Sequence, residues 1–299
     1  MSKNIFLTGA GGLLGTHLLY TLENTEYSVT ALTSKTDVLA EKFGERYNYL
    51  DTSDFLENGY NFSRTDIVIH CAFPRNNDGA SMAKGLDFQR ILFQSASKGG
   101  AGALVNISSQ SVYNPKRTEP ADEQTPLVLE TKYAAAKYMS EQLVEVICNA
   151  SNIKYTNLRM ASLIGINFNQ RIVNRFVRSA VENGSISVNA GKQSFGFLDV
   201  RDAASALKAI IFSNPDKWNN IYNIGAEREW GILELAELVR KFTERLTDKK
   251  LEFNVIKSEE VFSSALDSSS FSNQFGWKPQ ISMQQFINEI LTNIYGLGR

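Results

Sequence analysis

The sequence predicts an α/β protein built on a doubly wound parallel sheet, with a smaller lobe interleaved toward its C-terminal half. Three observations predict it. The stretch Asn4–Gly15, NIFLTGAGGLLG, runs from a short apolar segment through glycines into a helix-forming segment. Short apolar strands then recur between helix-length segments, at 27–32, 46–50, 66–72, 103–107 and 155–158. Finally, 299 residues exceed what a nucleotide-binding domain alone requires, which leaves chain for a second lobe.

Ile5, Phe6 and Leu7 make a run long enough for a buried strand and too short for a helix. Gly9, Gly11, Gly12 and Gly15 follow, and without a Cβ their backbone bends tightly and lies close to a ligand. Leu14, Leu18 and Leu22 recur every fourth residue, the period of a helix face. The helix N-terminus so formed aims free N–H donors at whatever lies beside the glycines, and a diphosphate fits there. With the second strand at 27–32 the pattern completes the βαβ unit of a Rossmann-type dinucleotide site. Gly9, Gly11, Gly12, Leu13, Leu14 and Gly15 are its expected cofactor contacts.

The end of the second strand discriminates between cofactors. A carboxylate there holds the adenine-ribose hydroxyls and repels a 2′-phosphate. This chain has Thr33, then Ser34 and Lys35, which can donate to a phosphate, so NADP(H) is expected, with NAD(H) as the alternative. The run 46–50 reads as the third strand. The fourth, DIVIHCA at 66–72, carries three consecutive β-branched residues and brings Cys71, Ala72 and Phe73 to the ligand edge. Residues 78–85 read as loop, 86–98 as a helix ended by Gly99–Gly102, and 103–107 as the fifth strand, ending on Ile107.

Beyond that strand come SSQSVY, Ser108–Tyr113, and YAAAK, Tyr133–Lys137. On a helix, residues i and i+4 share a face, so the Tyr133 phenol and Lys137 ammonium are neighbours. A cation beside a phenol stabilises phenolate and lowers its pKa from near 10, which makes the tyrosine a usable proton donor and acceptor. The helix continues to about Ala150, and Met139, Leu143, Val146 and Ile147 form a stripe available to an interface.

The order of these motifs resembles the extended short-chain dehydrogenase/reductase family, also called the NAD-dependent epimerase/dehydratase family. The resemblance runs through TGxxGxxG at Thr8–Gly15, SSxSVY and YxxxK, then RMASLIG at 159–165, FLDVRDAA at 197–204, IYNIG at 221–225 and FGWKP at 275–279. It implies that Ser109 holds the reacting oxygen, that Tyr133 exchanges its proton, and that Lys137 tunes Tyr133 and contacts the nicotinamide ribose. It further implies an adenine-edge contact at Asp51 and Thr52, and a homodimer packed through the YxxxK helix. Residues 1–166 would form the NAD(P)-binding domain, to which the chain returns at about 196–226. Residues 167–299 would form mainly a substrate-binding lobe, with helices at 172–182, 232–245 and 282–295 and a strand at 186–189.

Departures from the family pattern narrow the reaction. Sugar-nucleotide dehydratases carry an Asp-Glu pair after the catalytic threonine, where this chain has Gln110 and Ser111. Dehydration is disfavoured, and an epimerase or a simple reductase remains open. Either would transfer hydride at a secondary alcohol or ketone carbon of a sugar nucleotide or related hydroxy/keto compound. Met160 and Ile164 replace the proline and tyrosine of the family's LRPxxVYG turn. Phe195 and Ser264 stand where family members place arginines on the substrate diphosphate, which leaves Lys192, Arg171 and Arg175 as substitutes. An alternative of another class is a non-catalytic, NADP(H)-binding redox-sensing regulator, which would have no use for Ser109, Tyr133 and Lys137.

Composition sets the remaining bounds. With 31 basic and 32 acidic residues interspersed, the net charge is -1, and neither a nucleic-acid nor an anionic-membrane surface is expected. The expected partner is a small molecule. Cys71 and Cys148 frame no metal cluster or disulfide network, and no metal is expected at His70. The first strand starts too early for a signal peptide and no run reaches bilayer-crossing length, so a cytoplasmic protein is expected.

Overall fold

The structure, a computed structural model, describes residues 3–75 and 78–298. The strands are β1 (Asn4–Thr8), β2 (Ser28–Thr33), β3 (Asn48–Asp51), β4 (Ile67–His70), β5 (Ala103–Ser109), β6 (Lys154–Met160), β7 (Ser162–Ile164), β8 (Ser185–Phe195), β9 (Phe197–Asp199), β10 (Ile221–Ile224), β11 (Trp230–Gly231) and β12 (Glu252–Ser263). The helices are α1 (Leu13–Leu22), α2 (Thr36–Phe43), α3 (Thr52–Asn58), α4 (Gly79–Lys98), α5 (Lys132–Ser151), α6 (Ile172–Asn183), α7 (Val200–Phe212), α8 (Ile232–Thr247), α9 (Ser269–Phe275) and α10 (Met283–Asn293).

Seven parallel strands form the main sheet in the order β10-β6-β5-β4-β1-β2-β3. Alternation along β1 shows why both faces are covered. Ile5 and Leu7 pack toward α1, α2 and α7, whereas Phe6 packs toward α3, α4 and α5 with Leu32, Val68 and Leu104. Each such side chain, fully removed from water, contributes about 1.5–3 kcal/mol. The chain reverses its winding between β1 and β4, so a crevice opens beyond the carboxyl ends of these strands.

A second apolar cluster lies in the C-terminal half. There β8 pairs antiparallel with β11 and parallel with β12, and α6, α8 and α10 cover it through Phe176, Val177, Leu235, Val239, Phe286 and Ile287. The strand expected at 186–189 is thus one part of the eleven-residue β8. Its partner β12 gives no clear signal in sequence, because polar and charged residues interrupt its apolar ones.

Residues 79–85, expected as loop, are the first turns of α4. Asp78 caps them by accepting from the Ser81 N–H at 2.9 Å, and a Cβ on Gly85 would lie 2.7 Å from the Pro74 ring. Glycine here serves close packing within a helix, which outweighs its poor helix propensity.

Candidate active site

The glycine turn builds the floor of the site. Gly9 has φ +68°, and a Cβ there would come within 2.7 Å of the Ala72 nitrogen. A Cβ on Gly15 would lie 2.2 Å from the Gly9 carbonyl oxygen, so α1 can approach its own turn only with glycine at that position. The N–H groups opening α1 consequently face a groove, and the turn has the close-approach cradle that a dinucleotide diphosphate requires.

That groove consists of two cavities, of about 500 and 450 Å³, that meet at Gly9, Gly12, Ala72 and Phe73. The larger is lined by Leu13, Leu14, Gly15, Cys71, Ile107, Ser109, Tyr133 and Lys137. The other is lined by Gly11, Thr33, Ser34, Lys35 and Thr52. Asp51 is the one expected contact that lines neither, and its Oδ1 caps α3 by accepting from the Ser53 N–H at 2.7 Å. Lys84, which carries no motif signal, adds a second lysine to the Lys35 end.

Tyr133 and Lys137 sit in the first turns of α5, where Thr131 caps the helix by accepting from the Ala134 N–H at 3.0 Å. The Lys137 ammonium donates to the Ile107 carbonyl at 2.6 Å and lies 4.1 Å from the centre of the Phe73 ring. Ser109, at the end of β5, hydrogen-bonds the Tyr133 phenol and also accepts from the Ser111 N–H at 3.2 Å. Phe73 meets Tyr133 edge-on at 6.2 Å. The three residues expected to do the chemistry therefore converge on one wall.

Their electrostatics differ from the sequence expectation in one respect. Burial pushes the Lys137 ammonium down to about 7, so near neutrality it is only partly charged. Burial also raises the Tyr133 phenol, and the opposing influences are Arg75, the Ser109 hydrogen bond and Arg171. The expected cationic neighbour is thus supplied by two arginines that no motif singles out for this role. His70 is buried, bonded through Nδ1 to the Thr8 hydroxyl at 2.7 Å, and pushed down to about 3 by burial, so it is a neutral packed side chain.

A third cavity, of about 660 Å³, adjoins the catalytic one through Gln110, Ser111, Thr131 and Ser162. Both positions that depart from the family's arginines line it. Phe195 stacks on Phe197 at 5.2 Å with planes 6° apart and meets Phe262 edge-on at 5.4 Å, and Ser264 lies beside them. Lys116 and Arg117 supply its cations, and Arg117 donates to the Gln110 amide oxygen at 2.9 Å. Of the substitutes expected from sequence, Arg171 lines the catalytic cavity, whereas Lys192 and Arg175 are exposed and line none of the three. Ser162 and Arg117 were illegible because their role depends on a junction between distant segments.

A parallel sheet whose switch point carries a glycine turn, with serine, tyrosine and lysine on the adjoining wall, is the arrangement of a dinucleotide-dependent enzyme. The chain belongs to the NAD-dependent epimerase/dehydratase family, whose sequence model matches residues 5–225. It is 26% identical to a putative UDP-glucose 4-epimerase of Methanocaldococcus jannaschii, over 96% of this chain and 97% of that one. It is 22% identical to a mouse dTDP-D-glucose 4,6-dehydratase, over 96% and 87% respectively. Among solved structures, the UDP-N-acetylglucosamine 4-epimerase of Bacillus cereus superposes with a TM-score of 0.83 at 21% identity, covering 99% of this chain and 100% of that one. A UDP-glucuronic acid 4-epimerase from the same organism, in complex with NAD, gives 0.80 at 19%, covering 98% and 99%. These relatives lend no support to the regulator alternative.

Proposed function

We propose that the protein is an NAD(P)-dependent epimerase or reductase that acts at a secondary alcohol or ketone carbon of a sugar nucleotide. The observation that carries this reading is the convergence of Ser109, Tyr133 and Lys137 on the wall of the glycine-floored groove. The cofactor, when bound, supplies the nicotinamide ring that takes up or returns a hydride. Ser109 holds the substrate oxygen, and Tyr133 takes or returns its proton. Lys137 anchors the ribose hydroxyls and gains charge when they approach, since new acceptors offset its burial. The sugar occupies the catalytic cavity and the nucleotide the adjoining one, with Phe195 and Phe262 beside the base and Lys116 and Arg117 in reach of the diphosphate.

Gln110 and Ser111 offer no carboxylate to move protons at neighbouring carbons, which supports epimerisation or reduction over dehydration. The mouse relative named above is a dehydratase, so the distinction rests on those two side chains. The Thr33–Lys35 end of the groove, with Lys84 added and no Asp or Glu among its described lining residues, supports NADP(H). The B. cereus structure cited above holds NAD, which makes NAD(H) the competing reading. Residues 1–166 with 196–226 serve the cofactor and the remainder of 167–299 the substrate. Met139 and Val146, exposed on α5, support a homodimer through that helix. Among the described residues no helix is long and apolar enough to cross a membrane, consistent with a cytoplasmic enzyme.

The test is to denature purified protein and identify the released nucleotide, then assay UDP-hexoses for epimerisation and redox turnover. Turnover that Tyr133→Phe abolishes supports the proposal. Sugar-nucleotide turnover that survives the substitution, or none in the parent, sinks it.

A further inference from the structure

The lining of the catalytic cavity has an unusual charge balance. Arg75, Lys137 and Arg171 all face it, and no Asp or Glu does among the described residues. Arg75, from the segment after β4, and Arg171, the residue preceding α6, lie over the same ring, 4.6 and 5.4 Å from the centre of Phe168. Arg171 spends its Nε on the Leu163 carbonyl at 2.8 Å, and neither guanidinium joins an ion pair among the described residues. Burial and the like charge of Arg75 push Arg171 down to about 10. The exposed Arg75 and the half-buried Arg171 are thus two like charges at one ring, with no carboxylate paired to either among the described residues, and both bear on the Tyr133 phenol.

We propose that Arg75 and Arg171 form an anion clamp beside the reacting position and select a sugar nucleotide whose sugar ring carries a carboxylate. The inference rests on the sugar-nucleotide reading above. A guanidinium donates two parallel hydrogen bonds to a carboxylate, and among the described residues the hydrogen bond of Arg171 is made through Nε, which leaves its two terminal nitrogens for that purpose. The substrate diphosphate is the other anion in question, but Lys116 and Arg117 already serve the adjoining cavity at the far side of Ser162. That leaves the charge beside Tyr133 for a group on the sugar.

The experiment is equilibrium binding to Tyr133→Phe protein saturated with oxidised dinucleotide, using UDP-glucuronic acid and UDP-glucose as probes. The acid is expected to bind about 10- to 100-fold more tightly, the size of one charge-assisted hydrogen bond. Adding Arg171→Met or Arg75→Met should collapse that ratio toward unity. Equal binding of the two probes, or an arginine substitution that weakens both equally, overturns the clamp and leaves the proposed function standing. Loss of NADH affinity in the arginine variants, read by its fluorescence, assigns the pair to the cofactor diphosphate and likewise overturns it. Binding of neither probe removes the proposed function and the clamp together.

Discussion

Arg159 on β6 donates from Nε and Nη2 to the two carboxylate oxygens of Glu141 on α5, at 2.9 and 2.8 Å, and both side chains are buried. Arg159 also donates to the Tyr113 hydroxyl at 3.0 Å, Tyr113 donates to Asn223 at 2.8 Å, and Ser108 donates to Glu141. The pair thereby ties the end of β5, where Ser109 sits, to the helix that carries Tyr133 and Lys137. Removing one partner strands a charge in the interior. Arg159→Met or Glu141→Gln should each destabilise the protein by about 3–5 kcal/mol. The double variant should lose less than the sum, and urea unfolding of all four proteins measures the coupling.

Tyr133→Phe keeps the ring and its contact with Phe73 while removing the proton. Turnover should fall by about two to four orders of magnitude, the usual contribution of a positioned general acid or base. Steady-state assay of the two proteins decides it, and near-parental turnover would exclude Tyr133 from the chemistry.

Lys137 links stability to pH. Its pKa falls from 10.5 to about 7 on folding, so between those values the unfolded chain binds the extra proton. Its contribution therefore opposes folding fully below pH 7, and that penalty is progressively lost as pH rises toward 10.5. Lys137→Met removes the group, so its stability advantage over the parent in urea should shrink from pH 7 to pH 10. An advantage that is constant across that range would mean the buried ammonium is not what titrates.

Lys35→Ala tests the cofactor reading. It should weaken NADPH binding, by about 3- to 30-fold if one charged contact to the 2′-phosphate is lost, and leave NADH nearly unaffected. Fluorescence titration with both cofactors checks this. Equal effects on the two would refute a phosphate contact.

Much of the architecture was legible from local pattern. The strand ending at Thr8, the turn at Gly9–Gly15 and the helical face shared by Tyr133 and Lys137 follow from periods of two and 3.6 residues, and the structure keeps them. The start of α4 was not legible, since Gly79 and Gly85 signal a break unless the close approach of Pro74 is known. Nor was β12, whose paired residues on β8 lie nearly seventy positions earlier.

The sequence by itself determined which residues can do chemistry, because glycine at a turn and phenol with ammonium four residues apart are local facts. Tertiary structure alone decided their electrical setting. It buried Lys137 until its ammonium approached neutrality, committed one Asp51 carboxylate oxygen to capping α3, and brought Arg75 and Arg171 together over Phe168. Desolvation and Coulomb interactions depend on what packs within a few ångströms. Those neighbours come from segments far apart in the chain, so no local spacing encodes them.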